Sequence, residues 1–213
     1  MFIYVALFFS LFVIFSEDKS LKITEETVFA DDGKLKTTLN AKKSFEKIKT
    51  NESLVLLVGN NDYNEDTGFS KLNQCINDII LLQRIFINCA KFKKENIYLG
   101  SNLTKSDFIT LYKNVISKLK PDQGFILTYS GHGDTDGSLV FIDGERLSSE
   151  ELKKMVNSIK NDTVLILDSC YSGNNDGPFD REGDTDFKSN CLRLYSSLAH
   201  LTSKEITYDN DFF

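Results

Sequence analysis

The chain has 213 residues, a formal charge of −6, 41% hydrophobic and 26% charged residues, a globular composition that excludes fibrous, repeat and wholly disordered classes. A chain of this length buries enough surface for a self-sufficient core, and an acidic balance without a basic stripe excludes nucleic acid as the main partner. Four cysteines, Cys75, Cys89, Cys170 and Cys191, are too few and too scattered for a disulfide scaffold and form no CxxC pair for structural zinc.

Residues 1–16 open with the uncharged run MFIYVALFFSLFVIF. It is shorter than a comfortable bilayer span and reads as a signal peptide, or as an anchor if it stays uncleaved. Either way the chain enters a secretory or extracellular route. Sequons at Asn51, Asn102 and Asn161 are compatible with that route, although a chain so rich in Asn, Ser and Thr holds such triplets by chance. Residues 17–51 are dominated by Lys, Glu, Asp and Thr and read as a charged linker or pro-segment.

The domain occupies residues 52–213. Leu54 to Val58 is a continuous apolar run closed by Gly59-Asn60-Asn61-Asp62, the pattern of a strand buried on both faces. Helical spacing predicts a helix over 71–90, a brief strand follows at 96–99, and a second helix is predicted over 106–120 with Pro121 as its stop. GFILTYS (124–130) is the third strand, and Leu139 to Ile142 a short strand or hairpin arm. Ser148 and Glu151 form a capping box for a third helix, and TVLIL (163–167) is the fourth strand. A loop rich in Gly, Asn and Asp spans 172–190, after which Leu192 to Ser197 supplies a fifth strand. Strands alternating with helices predict an α/β fold with a mainly parallel sheet covered on both faces, in which function collects beyond the carboxyl ends of the strands.

Those ends carry the chemistry. The third strand runs into Tyr129-Ser130-Gly131-His132-Gly133-Asp134 and the fourth into Asp168-Ser169-Cys170-Tyr171-Ser172-Gly173. Glycines on either side leave the imidazole of His132 uncovered. Adjacent strands lie about 5 Å apart, so a thiol at Cys170 faces a base across one cleft. Acyl transfer from a peptide needs such a nucleophile and a group to protonate the leaving amine. The backbone N–H groups of Gly133 and Cys170 are the natural oxyanion donors.

With LLVGNNDY after the first strand, LNQCINDI at the first helix, YSGHGD and DSCYSG, the chain resembles the caspase-like cysteine peptidases of family C14, and within them most closely the metacaspases. The resemblance implies a three-layer αβα fold, His132 as general base and acid, Cys170 as nucleophile, and a substrate pocket built from Cys75, Asp78, Ser130 and Asp168. Two carboxylates in one pocket favour a cation, so Arg or Lys is expected before the scissile bond and an acidic residue is repelled. Tyr171 stands where metacaspases more often have His. With a basic residue accepted before the cut, self-cleavage after Arg181 is expected in the 173–190 loop, since exposed Gly- and Asp-rich loops are where nicking concentrates.

No cofactor is required for the chemistry. Many metacaspases need Ca²⁺, and Asp134, Asp136, Asp143, Glu150, Glu151 and Asp176 offer hard oxygen ligands. However, Ser148-Ser149-Glu150-Glu151 stands where the family more often has an aspartate pair, so no metal ligand is assigned. The chain ends at Asn210-Asp211-Phe212-Phe213, about one element pair short of the metacaspase pattern, and a C-terminal segment or a partner would complete the sheet. Peptides or proteins are the expected substrates. Two other readings stand beside this one. Legumain-like asparaginyl peptidases and the catalytic subunit of the GPI transamidase, secretory relatives in the same clan, resemble the chain in the strand–GHG–strand–Cys layout. A catalytically silent caspase-like interaction module is the third.

Overall fold

The apolar runs become strands whose faces are both covered. This computed structural model describes residues 52–176, 187–188 and 190–197, with the backbone of two short strands, β1 (Val28–Asp31) and β2 (Lys34–Lys36), that pair antiparallel within the charged segment. The leader at 1–16, Arg181 and residues 198–213 lie outside the described residues. Among those described, no helix is long and apolar enough to cross a membrane.

Strands β3 (Leu54–Gly59), β4 (Ile97–Ser101) and β5 (Phe125–Ser130) join β8 (Thr163–Asp168) and β9 (Cys191–Tyr195) in one parallel sheet of order β4-β3-β5-β8-β9. Every residue of β3 and β5 is buried. Side chains alternate between faces. Leu56, Val58, Leu127, Tyr129, Leu165 and Leu167 pack with the helices α2 (Lys105–Ile116) and α3 (Ser149–Asn157), whereas Val55, Leu57, Ile126, Val164 and Ile166 pack with Ile79 and Phe86 of α1 (Cys75–Asn88). Helices on both faces of the sheet give the three layers expected of the α/β pattern, and each buried aliphatic side chain stabilises them by roughly 1.5–3 kcal/mol.

Element ends differ from the periodicity where tertiary bonds intervene. The first helix begins at Cys75 rather than at 71, because the Leu72 N–H is tied to the Asn61 carbonyl (2.9 Å) in the loop after β3. The second ends at Ile116 rather than 120, because Lys118 and Leu119 donate to the carbonyls three residues back and the last turn tightens. The capping box at Ser148 and Glu151 forms as read. The short strand at 139–142 is one arm of a hairpin, β6 (Leu139–Val140) with β7 (Arg146–Leu147), whose second arm is too short to show in the sequence.

Two polar residues hold the β8 side of the sheet. Lys188 is half-buried, and its Nζ donates to the Ile159 carbonyl (2.7 Å), the Asn161 carbonyl (2.6 Å) and Thr163 Oγ1 (2.8 Å). Its backbone N–H donates to Asn157 Oδ1 (2.8 Å). Burial pulls its ammonium below the usual lysine range. Asn161, the last of the three sequon residues, spends both N–H bonds of its amide on the Lys120 (2.6 Å) and Gln123 (2.7 Å) carbonyls. A glycan takes one of those hydrogens. Protein secreted from a glycosylating host is therefore expected to carry an unmodified Asn161; a glycopeptide at that position in mass mapping of the folded protein would contradict the expectation.

Candidate active site

The parallel register sets Gly59, Ser130 and Asp168 side by side at the carboxyl edge of the three central strands. His132 and Cys170 each lie two residues beyond that line, on adjacent strands. The turns that carry them touch. A Cβ on Gly133 would collide with the Cys170 carbonyl oxygen and lie 3.0 Å from Ser169 Oγ. Glycine at 133 is therefore a matter of space, since its φ is not in the left-handed region. Gly133 also faces Leu139 in an isolated antiparallel bridge, and the ladder bonds there run through Val140 N–H to the His132 carbonyl (3.0 Å) and Asp134 N–H to the Ser138 carbonyl (2.9 Å). In such a pair the central N–H is left over by the ladder, which suits an oxyanion donor.

His132 is held by groups both outside and inside the histidine block. Its backbone N–H donates to the Tyr63 hydroxyl (2.8 Å), and its carbonyl accepts from the Tyr129 hydroxyl (3.0 Å). The two hydroxyls are 3.3 Å apart and both reach the Val140 carbonyl. Burial pushes Tyr63 up to about 12 and raises Tyr129 as well, so both phenols keep their protons and remain donors throughout the pH range of a peptidase. A Cβ on Gly131 would press on both hydroxyls, which accounts for the first glycine of the GHG triplet. The imidazole packs against the rings of Tyr63 (centroids 4.6 Å) and Phe69 (5.2 Å), and Nε2 lies 2.8 Å from the Ser70 carbonyl. A carbonyl only accepts, so this contact requires the proton on Nε2 and leaves Nδ1 of the neutral ring as an acceptor.

Cys170 is partly exposed and forms no disulfide. Tyr171, immediately after it, has φ +55°, a left-handed conformation that costs a bulky residue about 1–3 kcal/mol.

The expected pocket lies on the α1 face of the sheet. Asp78, in the first turn of α1, accepts from Ser130 Oγ (3.1 Å), and alternation along β8 after Val164 and Ile166 turns Asp168 to that same face beside Ser130. Cys75 is buried at the start of α1, and its carbonyl occupies the place that a Cβ on Gly59 would take. The structure thus brings Cys75, Asp78, Ser130 and Asp168 to one end of the sheet.

The acidic residues considered for Ca²⁺ have the following surroundings. Among the described residues no three His, Cys, Asp or Glu side chains gather as metal ligands. Asp134 is paired with Arg146 (2.6 Å), which holds its carboxyl below the usual range. Asp136 accepts from Ser138 N–H (2.9 Å) and Asp143 from Lys105 N–H (3.3 Å). Glu150 pairs with Lys154 (2.6 Å), and Glu151 caps α3 and pairs with Lys105 (3.0 Å).

Sequence reasoning missed Tyr63, Phe69 and Ser70. Tyr63 lies inside the LLVGNNDY block, and its signal was a lone aromatic in an otherwise polar turn. A parallel αβα sheet with a cysteine and a histidine on abutting turns at adjacent strand ends is the architecture of caspase-like cysteine peptidases. The model of the caspase domain of the C14 peptidases matches residues 52–211, and the chain belongs to that family. No curated protein matches the chain.

Proposed function

We propose that the chain is a cysteine endopeptidase that cuts after Arg or Lys, with Cys170 as nucleophile and His132 as base and acid. The observation that carries the reading is the contact of Gly133 with the Cys170 carbonyl, which leaves the imidazole turn and the thiol turn no room for an intervening side chain.

The Cys170 thiol gives its proton to His132, and the sulfur attacks the substrate carbonyl carbon. The resulting oxyanion accepts from the Gly133 and Cys170 N–H groups, donors of a kind worth about 10²–10³ in rate each. As the C–N bond breaks, the imidazolium protonates the leaving amine and a thioester remains. Water, deprotonated by His132, then releases the acid and restores the thiol. The Ser70 carbonyl favours the tautomer that these steps need. Asp78 and Asp168 supply the negative pocket for the cation before the cut, the feature that keeps the resemblance on the metacaspase side. Secretion through the leader and self-cleavage after Arg181 belong to the same reading.

A fluorogenic panel with Arg, Lys, Asn or Asp before the scissile bond, with and without Ca²⁺ and with Cys170→Ala as control, tests it. The expected result is Arg or Lys turnover that disappears in the variant; the Ca²⁺ arm shows whether the metal activates. Asn turnover would move the protein to the legumain side, and silence across the panel would leave a binding module.

A further inference from the structure

Tyr171 keeps its left-handed backbone between the partly exposed Cys170 and the buried Ser172. Such outliers persist only where surrounding bonds over-determine them, and they collect at functional sites. Here the bonds come from the edge of the sheet. Ser197, two residues past the end of β9, donates its hydroxyl to the Ser169 carbonyl (2.9 Å) and accepts the Ser172 N–H (3.0 Å). Its own N–H donates to Ser172 Oγ (3.2 Å), and its carbonyl accepts the Gly173 N–H (3.1 Å). One serine therefore grips the turn on both sides of the Cys170-Tyr171 pair. On the other flank the buried amide of Asn175 donates to the Gly137 and Ser172 carbonyls (3.0 Å each) and accepts from Ser149 Oγ (2.7 Å), fixing the turn to the hairpin beyond His132. With the far end anchored in this way, the near end is set by Ser197.

We propose that Ser197 is a positioning residue that holds the strained turn and thereby aims the Cys170 thiol. The inference rests on Cys170 being the nucleophile and deepens that reading: β9 serves the site through a hydroxyl at its end. Hydrogen bonds of this kind, made across 25 or more residues, have no local equivalent that the turn itself could substitute.

The test compares Ser197→Ala, Ser172→Ala, the double variant and Ser197→Thr in full-length protein. Turnover of an Arg substrate is measured alongside iodoacetamide alkylation of Cys170, quantified by peptide mass with the exposed Cys89 as internal reference. Ser197→Ala is expected to lower kcat and the Cys170 alkylation rate at least fivefold, with KM within twofold and Cys89 unchanged. Threonine, which keeps the hydroxyl, restores both. The double variant is no worse than the worse single one, because both residues belong to one clamp. Where Ser197→Ala does not fold, Ser172→Ala removes the Oγ that accepts the Ser197 N–H, loosens the same clamp from its other side and carries the comparison. Rates within twofold of the parent for both single variants, losses that multiply in the double, or a change confined to KM would overturn the proposal. If the parent turns over no peptide, the peptidase reading fails, and the alkylation rates still decide the clamp.

Discussion

Gly133→Ala is expected to lose at least about a hundredfold in kcat/KM on an Arg substrate, because a misplacement of about 1 Å between reacting groups costs that much. The added methyl meets the Cys170 carbonyl oxygen, and the next nearest atoms are Ser169 Oγ at 3.0 Å and Ser169 Cβ at 3.1 Å. The main obstacle is backbone on a strand end, so no rotamer change relieves it. The histidine turn or the thiol turn must move, and the Gly133 N–H moves with its turn. Alanine has no difficulty with the local dihedral, so the effect falls on the spacing of the two turns. The loss should therefore appear chiefly in kcat, with a thermal midpoint only a few degrees lower. Turnover within threefold of the parent would mean that the contact of the two turns does not set the catalytic geometry.

The second large effect is expected at the carboxylates. Asp78→Asn and Asp168→Asn keep the shape of each side chain, and the amide oxygen at 78 can still accept from Ser130 Oγ, 3.1 Å away in the parent. Each removes one negative charge from a half-buried pocket. Truncating a buried charge interaction costs about 2–5 kcal/mol, so each variant should lose about thirtyfold or more in kcat/KM on Arg. A neutral substrate with Gln in place of Arg should be affected far less. The ratio of Arg to Gln is the readout, since it cancels general damage to the enzyme. An unchanged ratio in the double variant would remove these two residues from the specificity pocket.

What the sequence disclosed follows the range of each interaction. The buried strands declare themselves by apolar runs, α3 by its capping box, and the histidine and cysteine turns by residues contiguous with a strand end. The alternation that brings Ser130 and Asp168 to one face is also a local property. By contrast, the aromatic support of His132 comes from the loop after β3, and the clamp on the thiol turn from beyond β9. Neither has a periodicity. The end of α1 nearest the site departs from the periodicity because Asn61, eleven residues earlier in the same connection, ties down Leu72. Among the acidic residues, Asp134, Asp136, Asp143, Glu150 and Glu151 each engage a neighbouring N–H or cation, partners that their spacing in the sequence does not show.

The anchoring of Lys188 bears on how such an enzyme survives itself. On the proposed preference for Arg or Lys, the enzyme lives among its own substrates, and this chain offers 25 Lys and Arg side chains. Recognition requires the cation to leave its surroundings and enter another molecule's pocket. Lys188 cannot do so while its ammonium holds Ile159, Asn161 and Thr163. Scission after Lys188 itself has to wait for local unfolding, because the bonds that close the sheet edge are the ones that hold its ammonium.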